Sequence, residues 1–299
     1  MILLDNTTKP WIDLYKESNC VKTRNLIKKS FKDLVFKEGP HIYTLYGKQV
    51  PSVSSMVELF VEPFDSKGRA QGCYEKYFNN PSSQYYQMTP EQIEKSWRAT
   101  AKTATDKGTT AHGFGESCMH YFVGDYKNIL PEYRDRLTDD GKFIARDGFE
   151  IAIAKFWQDL PDFYVPILAE NKVYGTCGTN MALYAGTFDL LVYAFLPDGR
   201  EGPIMFDWKT NADLYKNFKG QMMLKCLSNL KDTPKNHYEV QQSLYENALN
   251  EIGINVLGKR LIWIKNSGEY EVVRLTEKII PLITEEIKIA SGVSLDLPF

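Results

Sequence analysis

The chain lacks the features of an exported or membrane-bound protein. Its five cysteines are scattered, and no two form the Cys-x-x-Cys pair of a zinc site or suggest a disulfide framework. The longest apolar stretches, such as residues 190–196, are far too short to cross a bilayer. The first residues lack the basic region, apolar run and cleavage site of a signal peptide. We therefore expect a cytoplasmic protein with reduced cysteines and no membrane partner.

The sequence also lacks an excess of charge of one sign, which argues against a protein that simply coats nucleic acid. The formal net charge is -2, and the 43% hydrophobic content is that of an ordinary globular protein. Positive charge is concentrated in residues 16–37, with seven Lys or Arg against two acids, and in residues 209–235, with six Lys against two Asp. These segments are either a phosphate-contacting surface or ordinary solvated lysines.

No repeat, low-complexity tract or Gly/Ser/Pro-rich linker divides the chain, which predicts one domain over residues 1–299. Alternation of apolar and polar residues around Gly47-Lys48 predicts a hairpin, and Thr89-Pro90-Glu91 predicts a helix start. The predicted parts are an irregular or helical arm (1–40), the hairpin plus a helical wall (41–160) and a mixed-sheet core (161–299).

Beyond residue 165 the composition changes to that of strands, rich in Val, Ile, Leu, Phe and Tyr. A Pro197-Asp198-Gly199 turn signal separates two of them. The order of elements predicts an α/β (α+β) fold, with a central mixed β-sheet flanked by helices and a helical N-terminal half. The predicted strands are 167–174, 187–196, 204–209, 260–265 and 270–275, and the predicted helices are 238–251 and 277–290.

An acid and a lysine end the third predicted strand, PIMFDWK. Side chains alternate along a strand, so Asp207 and Lys209 face one way and Trp208 the other. Burial penalises both charges unless they serve each other or an ion. By itself the Asp-x-Lys pattern is more often a surface pair.

A second acid, Asp189, lies in the preceding apolar strand, within the segment GTFDLL. The predicted turn brings Asp189 to Asp207, and two carboxylates forced together repel unless a cation lies between them. Oxygen ligands of this kind suit Mg²⁺ or Mn²⁺. The structural alternative places one Asp at an exposed strand position and the other at a turn.

A predicted upstream helix carries Gly108, His112 and Glu116, spaced four apart and therefore on one face. His112 is a candidate ligand of the same metal, and Glu116 is a candidate to orient it or a water. Gly108 would allow close approach of a strand or of nucleic acid. A His-Glu pair at this spacing is by itself more often a surface pair.

A second predicted helix places Gln241 and Tyr245 on one face. These side chains are candidates for hydrogen bonds to phosphate oxygens or to the water around a metal. The alternative is an amphipathic helix with a half-buried tyrosine.

Taken in order, these motifs resemble those of a nuclease superfamily. The series G-x-x-x-H-x-x-x-E, G-T-F-D, D-W-K-T and Q-x-x-x-Y is similar to that of the RecB-like branch of the PD-(D/E)XK nucleases. The nearer likeness is to phage exonucleases and mitochondrial genome maintenance exonucleases, where a segment like His41-x-Tyr43 and Pro51-Ser52-Val53-Ser54 precedes the motifs. The likeness covers roughly residues 41–275.

The resemblance implies a restriction-endonuclease-like core and a metal-dependent DNA nuclease, in particular an exonuclease acting on single strands or free ends. Lys209 would assist the nucleophile or the developing charge, Glu116 would be the helix partner of the histidine, and Glu170 would be a further acid. The groups implied to bind Mg²⁺ or Mn²⁺ are His112, Asp189, Asp207 and the backbone carbonyl of Trp208. The residues implied to contact DNA are Gly108, Thr210, Gln241 and Tyr245.

The same resemblance bears on cofactors and partners. Iron–sulfur members of the branch have a C-terminal cysteine cluster, and no cysteine follows Cys226, so we expect no cluster. No P-loop G-x-x-x-x-G-K-[ST] occurs, so helicase activity would come from another chain. A replication or recombination partner, in the host cytoplasm for a phage-encoded protein, is implied without being identified. Two alternatives stay open: an inactive nucleic-acid-binding module of this fold, and a carboxylate–metal hydrolase of smaller substrates.

Overall fold

The apolar segments of the second half of the chain form the central sheet. The computed structural model describes residues 1–218 and 220–292. The strands are β1 (Ile2–Leu4), β2 (Leu34–Lys37), β3 (Ile42–Leu45), β4 (Lys48–Val50), β5 (Phe143–Ala145), β6 (Tyr164–Gly175), β7 (Tyr184–Phe195), β8 (Glu201–Lys209), β9 (Gly258–Ile264) and β10 (Tyr270–Leu275). The α-helices are α1 (Trp11–Leu14), α2 (Ser18–Ser30), α3 (Val53–Val57), α4 (Ser66–Tyr77), α5 (Pro90–Phe122), α6 (Gly148–Asp159), α7 (Pro234–Glu251) and α8 (Ile280–Ala290).

Five strands form a mixed sheet in the order β10-β9-β8-β7-β6. Strands β8 and β9 are parallel, and the other neighbours are antiparallel. The connection from β8 to β9 passes through α7, as parallel pairing requires a crossover. Strands β7 and β8 are buried along nearly their whole length, which explains their almost continuous apolar sequences.

Helices cover both faces of this sheet. On one face the ring of Trp208 in β8 packs against Phe156 and Trp157 of α6, with centroids 5.1 and 6.3 Å apart. On the other face Lys209 points to α7, where its amine lies 4.4 Å from the ring centroid of Tyr238. The predicted mixed sheet flanked by helices is therefore confirmed.

The N-terminal segment differs from the expected irregular or helical arm. It contains α1 and α2, but β1 pairs with β5, and β2 adds a third strand to the β3–β4 hairpin. The partner of β1 lies far along the chain, so no local pattern could reveal it. The hairpin itself is confirmed, although its turn lies at Tyr46-Gly47, one residue before the predicted one, with Gly47 at φ 78°.

Two compact units are distinguished. The larger unit comprises Met1–Val61 and the chain from Ala111 onward, and the smaller unit is Glu62–Thr110. In the smaller unit, α5 starts at the predicted Thr89-Pro90: the backbone NH of Thr89 donates to the Gln92 side chain at 2.8 Å, and that of Gln92 to the Thr89 hydroxyl at 3.4 Å.

None of the helices in the described ranges is both long enough and apolar enough to cross a membrane. This holds even for α5, which has 33 residues.

Close packing of α5 on β8 requires a glycine at position 115. A Cβ there would lie 2.7 Å from Nε1 of Trp208, whose ring is buried. Overpacking costs about 1–3 kcal/mol, and the better helix propensity of alanine offsets at most about 1 kcal/mol. We therefore expect Gly115→Ala to lower the free energy of unfolding, measured by urea denaturation.

The matched control is Gly39→Ala, because a Cβ at this exposed loop position meets nothing within 4 Å. Its effect should stay within about 0.5 kcal/mol. A Gly115→Ala protein more stable than the control would contradict the packing described.

Candidate metal centre

The first acid of the site lies where β7 and β8 separate. Backbone pairing between the two strands ends at Leu190 and Phe206. One residue further, Oδ2 of Asp189 accepts a hydrogen bond of 2.8 Å from the backbone NH of Trp208. The carboxylate thus takes the place of a strand partner, which fixes its position while the two strand ends diverge.

The negative charge of the second acid, Asp207, is balanced by the lysine two residues later. Asp207 and Lys209 share a face of β8, as predicted, and Nζ of Lys209 lies 2.5 Å from Oδ2 of Asp207. The side chain of Asp207 is only 1% exposed, and its oxygens accept no well-formed hydrogen bond from the described residues. Because burial of a carboxylate is costly, this one depends on the nearby positive charge.

His112, on α5, contacts both β8 and Asp189. Its Nε2 lies 3.0 Å from the backbone carbonyl of Trp208, and its Nδ1 lies 3.3 Å from Oδ2 of Asp189. Both neighbours are hydrogen-bond acceptors, which favours the protonated ring in the absence of a cation, whereas a bound cation would take the neutral ring as its ligand. The carbonyl of Trp208, a predicted metal ligand, is here the partner of His112.

Glu170, the further acid implied by the motif resemblance, completes the group. Its neighbours in β6 pair with the residues on either side of Asp189, and its own backbone is in the left-handed region at φ 45°. Its Oε1 lies 3.6 Å from Nδ1 of His112 and has no hydrogen-bond partner among the described residues. Such strain in a non-glycine residue often accompanies a functional site.

The geometry groups His112, Glu170 and Asp189 as potential ligands of one ion, because one ligand atom from each lies within 4.8 Å of the others. Asp207 is outside this triad and is held by Lys209. The buried oxygen of Glu170 and the carboxylate of Asp207 lack hydrogen-bond donors among the described residues, and a bound cation would satisfy such atoms. The residues present therefore fit a metal ion.

The electrostatics of the group reflect an excess of buried negative charge. Burial and the neighbouring Asp189 raise the pKa of Asp207 to about 7, against the effect of Lys209. Burial also raises the pKa of Glu170. For His112, burial disfavours the charged ring, but Asp189 and Glu170 outweigh it and raise the pKa to about 10. For Asp189, His112 and Lys209 outweigh burial and lower the pKa.

Glu116 lies one helical turn after His112 and near the group. Burial, then the charge of Glu170, raise the pKa of Glu116 to about 7. Its carboxylate is 4.0 Å from Nε2 of His120, a longer contact than a hydrogen bond. A cation bound near Glu170 would also lower the pKa of Glu116.

The four residues expected to contact DNA differ in burial and in location. In α7, the Gln241 side chain donates to the hydroxyl of Tyr245 at 3.3 Å, and Tyr245 is 3% exposed. Tyr245 packs so closely on β7 that a Cβ at Gly186 would lie 2.6 Å from its ring. Thr210 is half-buried directly after β8, and Gly108 belongs to the smaller unit.

Tyr238 is a site residue that sequence reasoning missed. Its ring faces the Lys209 amine, and its hydroxyl donates to the side chain of Asn211 at 2.8 Å. The available signal was its position three residues before Gln241, which puts both on one side of α7.

Comparisons with known proteins add little to this geometry. No protein-family model and no curated protein matches the chain. Among solved structures, a crystal structure from Eubacterium rectale, provisionally named an exonuclease, aligns with a TM-score of 0.36 and 13% identity, over 60% of this chain. The match spans 64% of that structure, which is less than two thirds of its length. A likeness this low carries no argument about function.

Membership of Glu170 in the metal group can be tested without any assumption about activity. Glu170→Gln removes a negative charge beside His112 and Asp189 while keeping the size of the side chain. We expect the affinity for Mn²⁺, measured by isothermal titration calorimetry, to fall by about tenfold or more, since even outer partners of a metal have effects of this size.

Glu271→Gln is the control, because Glu271 is an exposed residue of β10, at the edge of the sheet opposite β6. Its affinity for Mn²⁺ should equal that of the parent protein. Equal affinities in both variants would remove Glu170 from the ligand group.

Proposed function

We propose that this protein is a metal-dependent DNA nuclease of the PD-(D/E)XK type, an exonuclease of the RecB-like branch. The observation that carries this proposal is the convergence of His112, Glu170, Asp189, Asp207 and Lys209 where the pairing of β7 with β8 ends. A cluster of buried acids with one lysine is suited to hydrolysis of a phosphodiester, where negative charge must be neutralised.

Glu170 and Asp189 would hold one or two Mg²⁺ or Mn²⁺ ions together with His112, and Asp207 would contribute on the side of Lys209. A divalent ion bound there would supply positive charge beside the scissile phosphate and an acidified water as nucleophile. The Trp208 carbonyl, now paired with His112, is within reach of the same group.

Lys209 would act on the reacting phosphate as a fixed positive charge. Burial disfavours its charge, but Asp207 and Asp189 outweigh this and raise its pKa, so the amine stays protonated. Asp207 and the ring of Tyr238 fix it in place. A protonated amine held there can orient the attacking water and stabilise the developing negative charge.

The basic residues of α2 support a nucleic-acid substrate. This helix carries Lys22, Arg24, Lys28 and Lys29, and the three lysines are exposed to solvent. Exposed basic residues of this kind bind phosphates through charge, without reading sequence. The choice of DNA and of exonucleolytic cleavage follows from the motif resemblance.

The proposal predicts that Asp207→Asn abolishes cleavage of labelled DNA while the fold is retained. Loss of this carboxylate disturbs the metal site and frees Lys209, so the rate should fall on the order of 10³-fold or more. Asp139→Asn, at an exposed loop position, is the control and should keep the parent rate. Activity of the Asp207→Asn protein within tenfold of the parent, at equal metal concentration, would refute the assignment.

Hard oxygen ligands also predict a definite metal dependence. We expect cleavage with Mg²⁺ or Mn²⁺, poor cleavage with Ca²⁺ and none with EDTA. Ca²⁺ should still support DNA binding, because it supplies charge without the octahedral geometry that arranges the water. Initial rates and binding curves with each ion check this, and full cleavage in EDTA would end the metal hypothesis.

A further inference from the structure

The β3–β4 hairpin borders a cavity that the proposed chemistry does not use. This hairpin cavity has a volume of about 410 Å³. Its walls combine hydroxyl, amide, imidazole and apolar groups, with no Asp, Glu, Lys or Arg among the lining side chains that the structure describes. The lining includes His41, Tyr43, Gln49, Pro51, Ser52 and Ser55.

The composition of the walls limits what the cavity can bind. Without acids it is not a cation site, and without Lys or Arg it is not built for a free multiply charged anion. Neutral donors and acceptors match the edge of a nucleobase or a single phosphodiester oxygen. The exposed imidazole of His41 offers a flat face on which a base can stack.

Two contacts fix the hairpin cavity relative to the metal centre. The hydroxyls of Tyr43 and Thr187 are 3.0 Å apart, and Thr187 lies two residues before Asp189 on β7. At the other wall, the backbone NH of Ala185 donates to the carbonyl of Pro51 at 2.8 Å. The cavity and Asp189 are therefore attached to the same strand.

The strand also sets their separation. Ala185 and Asp189 are four residues apart, which corresponds to about 13 Å along a strand. That length corresponds to the rise of roughly four nucleotides along the axis of B-form DNA, and to fewer nucleotides of an extended single strand. A polynucleotide with one phosphodiester at the metal centre is thus long enough to place another nucleotide in the cavity.

We propose that the hairpin cavity binds a nucleotide of the substrate strand a few positions from the bond that is cut. This inference rests on the proposed nuclease function and adds a second binding subsite to it. Gln49 and Ser55 supply the hydrogen bonds, and His41 supplies the stacking surface. Ser52 has a structural role as well, because its hydroxyl accepts from the backbone NH of Ser55 at 3.1 Å and caps α3.

The test is the double variant Gln49→Ala/Ser55→Ala, which leaves the Ser52 cap in place. Two substrates are compared at saturating Mg²⁺: a single-stranded DNA long enough to span both sites, and bis(4-nitrophenyl) phosphate, which fills only the metal centre. We expect KM for the DNA to rise roughly tenfold, the loss expected for two hydrogen bonds, with kcat little changed. The rate on the small diester should be unchanged.

Gln158→Ala is the matched control. Gln158 is an exposed residue of α6, and its side chain donates to the backbone carbonyl of Leu3 in β1. It should leave both substrates unaffected. Unchanged KM for DNA in the double variant would overturn the subsite, and so would an equal loss on both substrates, which would indicate a structural role. If the unaltered protein cleaves neither substrate, the proposed function falls and the subsite falls with it.

Discussion

The site depends on the hydrogen bond from the backbone NH of Trp208 to the carboxylate of Asp189. It forms where the β7–β8 ladder stops, so it replaces a backbone pair that the diverging strands can no longer make. The backbone carbonyl of the same residue faces His112. One residue of β8 therefore connects the acid, the histidine and, through its buried ring, the helix α6 behind the sheet.

Much of this arrangement was predictable because it is local. Asp207 and Lys209 lie two apart on one apolar strand, and Asp189 lies on the strand joined to it by a short turn, so alternation and turn chemistry suffice to bring them together. Glu170 was harder to place. Its strand was predicted, but its approach to Asp189 involves a left-handed backbone at a non-glycine residue, which no sequence pattern announces.

The contributions of the N-terminal half required tertiary information. The pairing of β1 with β5, and the addition of β2 to the hairpin, join segments whose local patterns carry no mark of their partners. Gly186 opens the G-T-F-D motif and Gly115 directly precedes Glu116, yet the need for a glycine at both positions comes from close packing against Tyr245 and Trp208. Each of these contacts joins a helix to a strand that is distant in the sequence, so only the folded structure reveals it.

The parallel pairing of β8 with β9 has a consequence for biosynthesis. Strands β6, β7 and β8 are sequential and antiparallel, so they can assemble as soon as they are made, but β9 begins about 50 residues after β8 ends. At about 5–20 residues per second, the ribosome needs roughly 3–10 s to supply it. During that interval one edge of the apolar β8 has no partner, so the nascent chain passes through a stage that favours chaperone binding or aggregation.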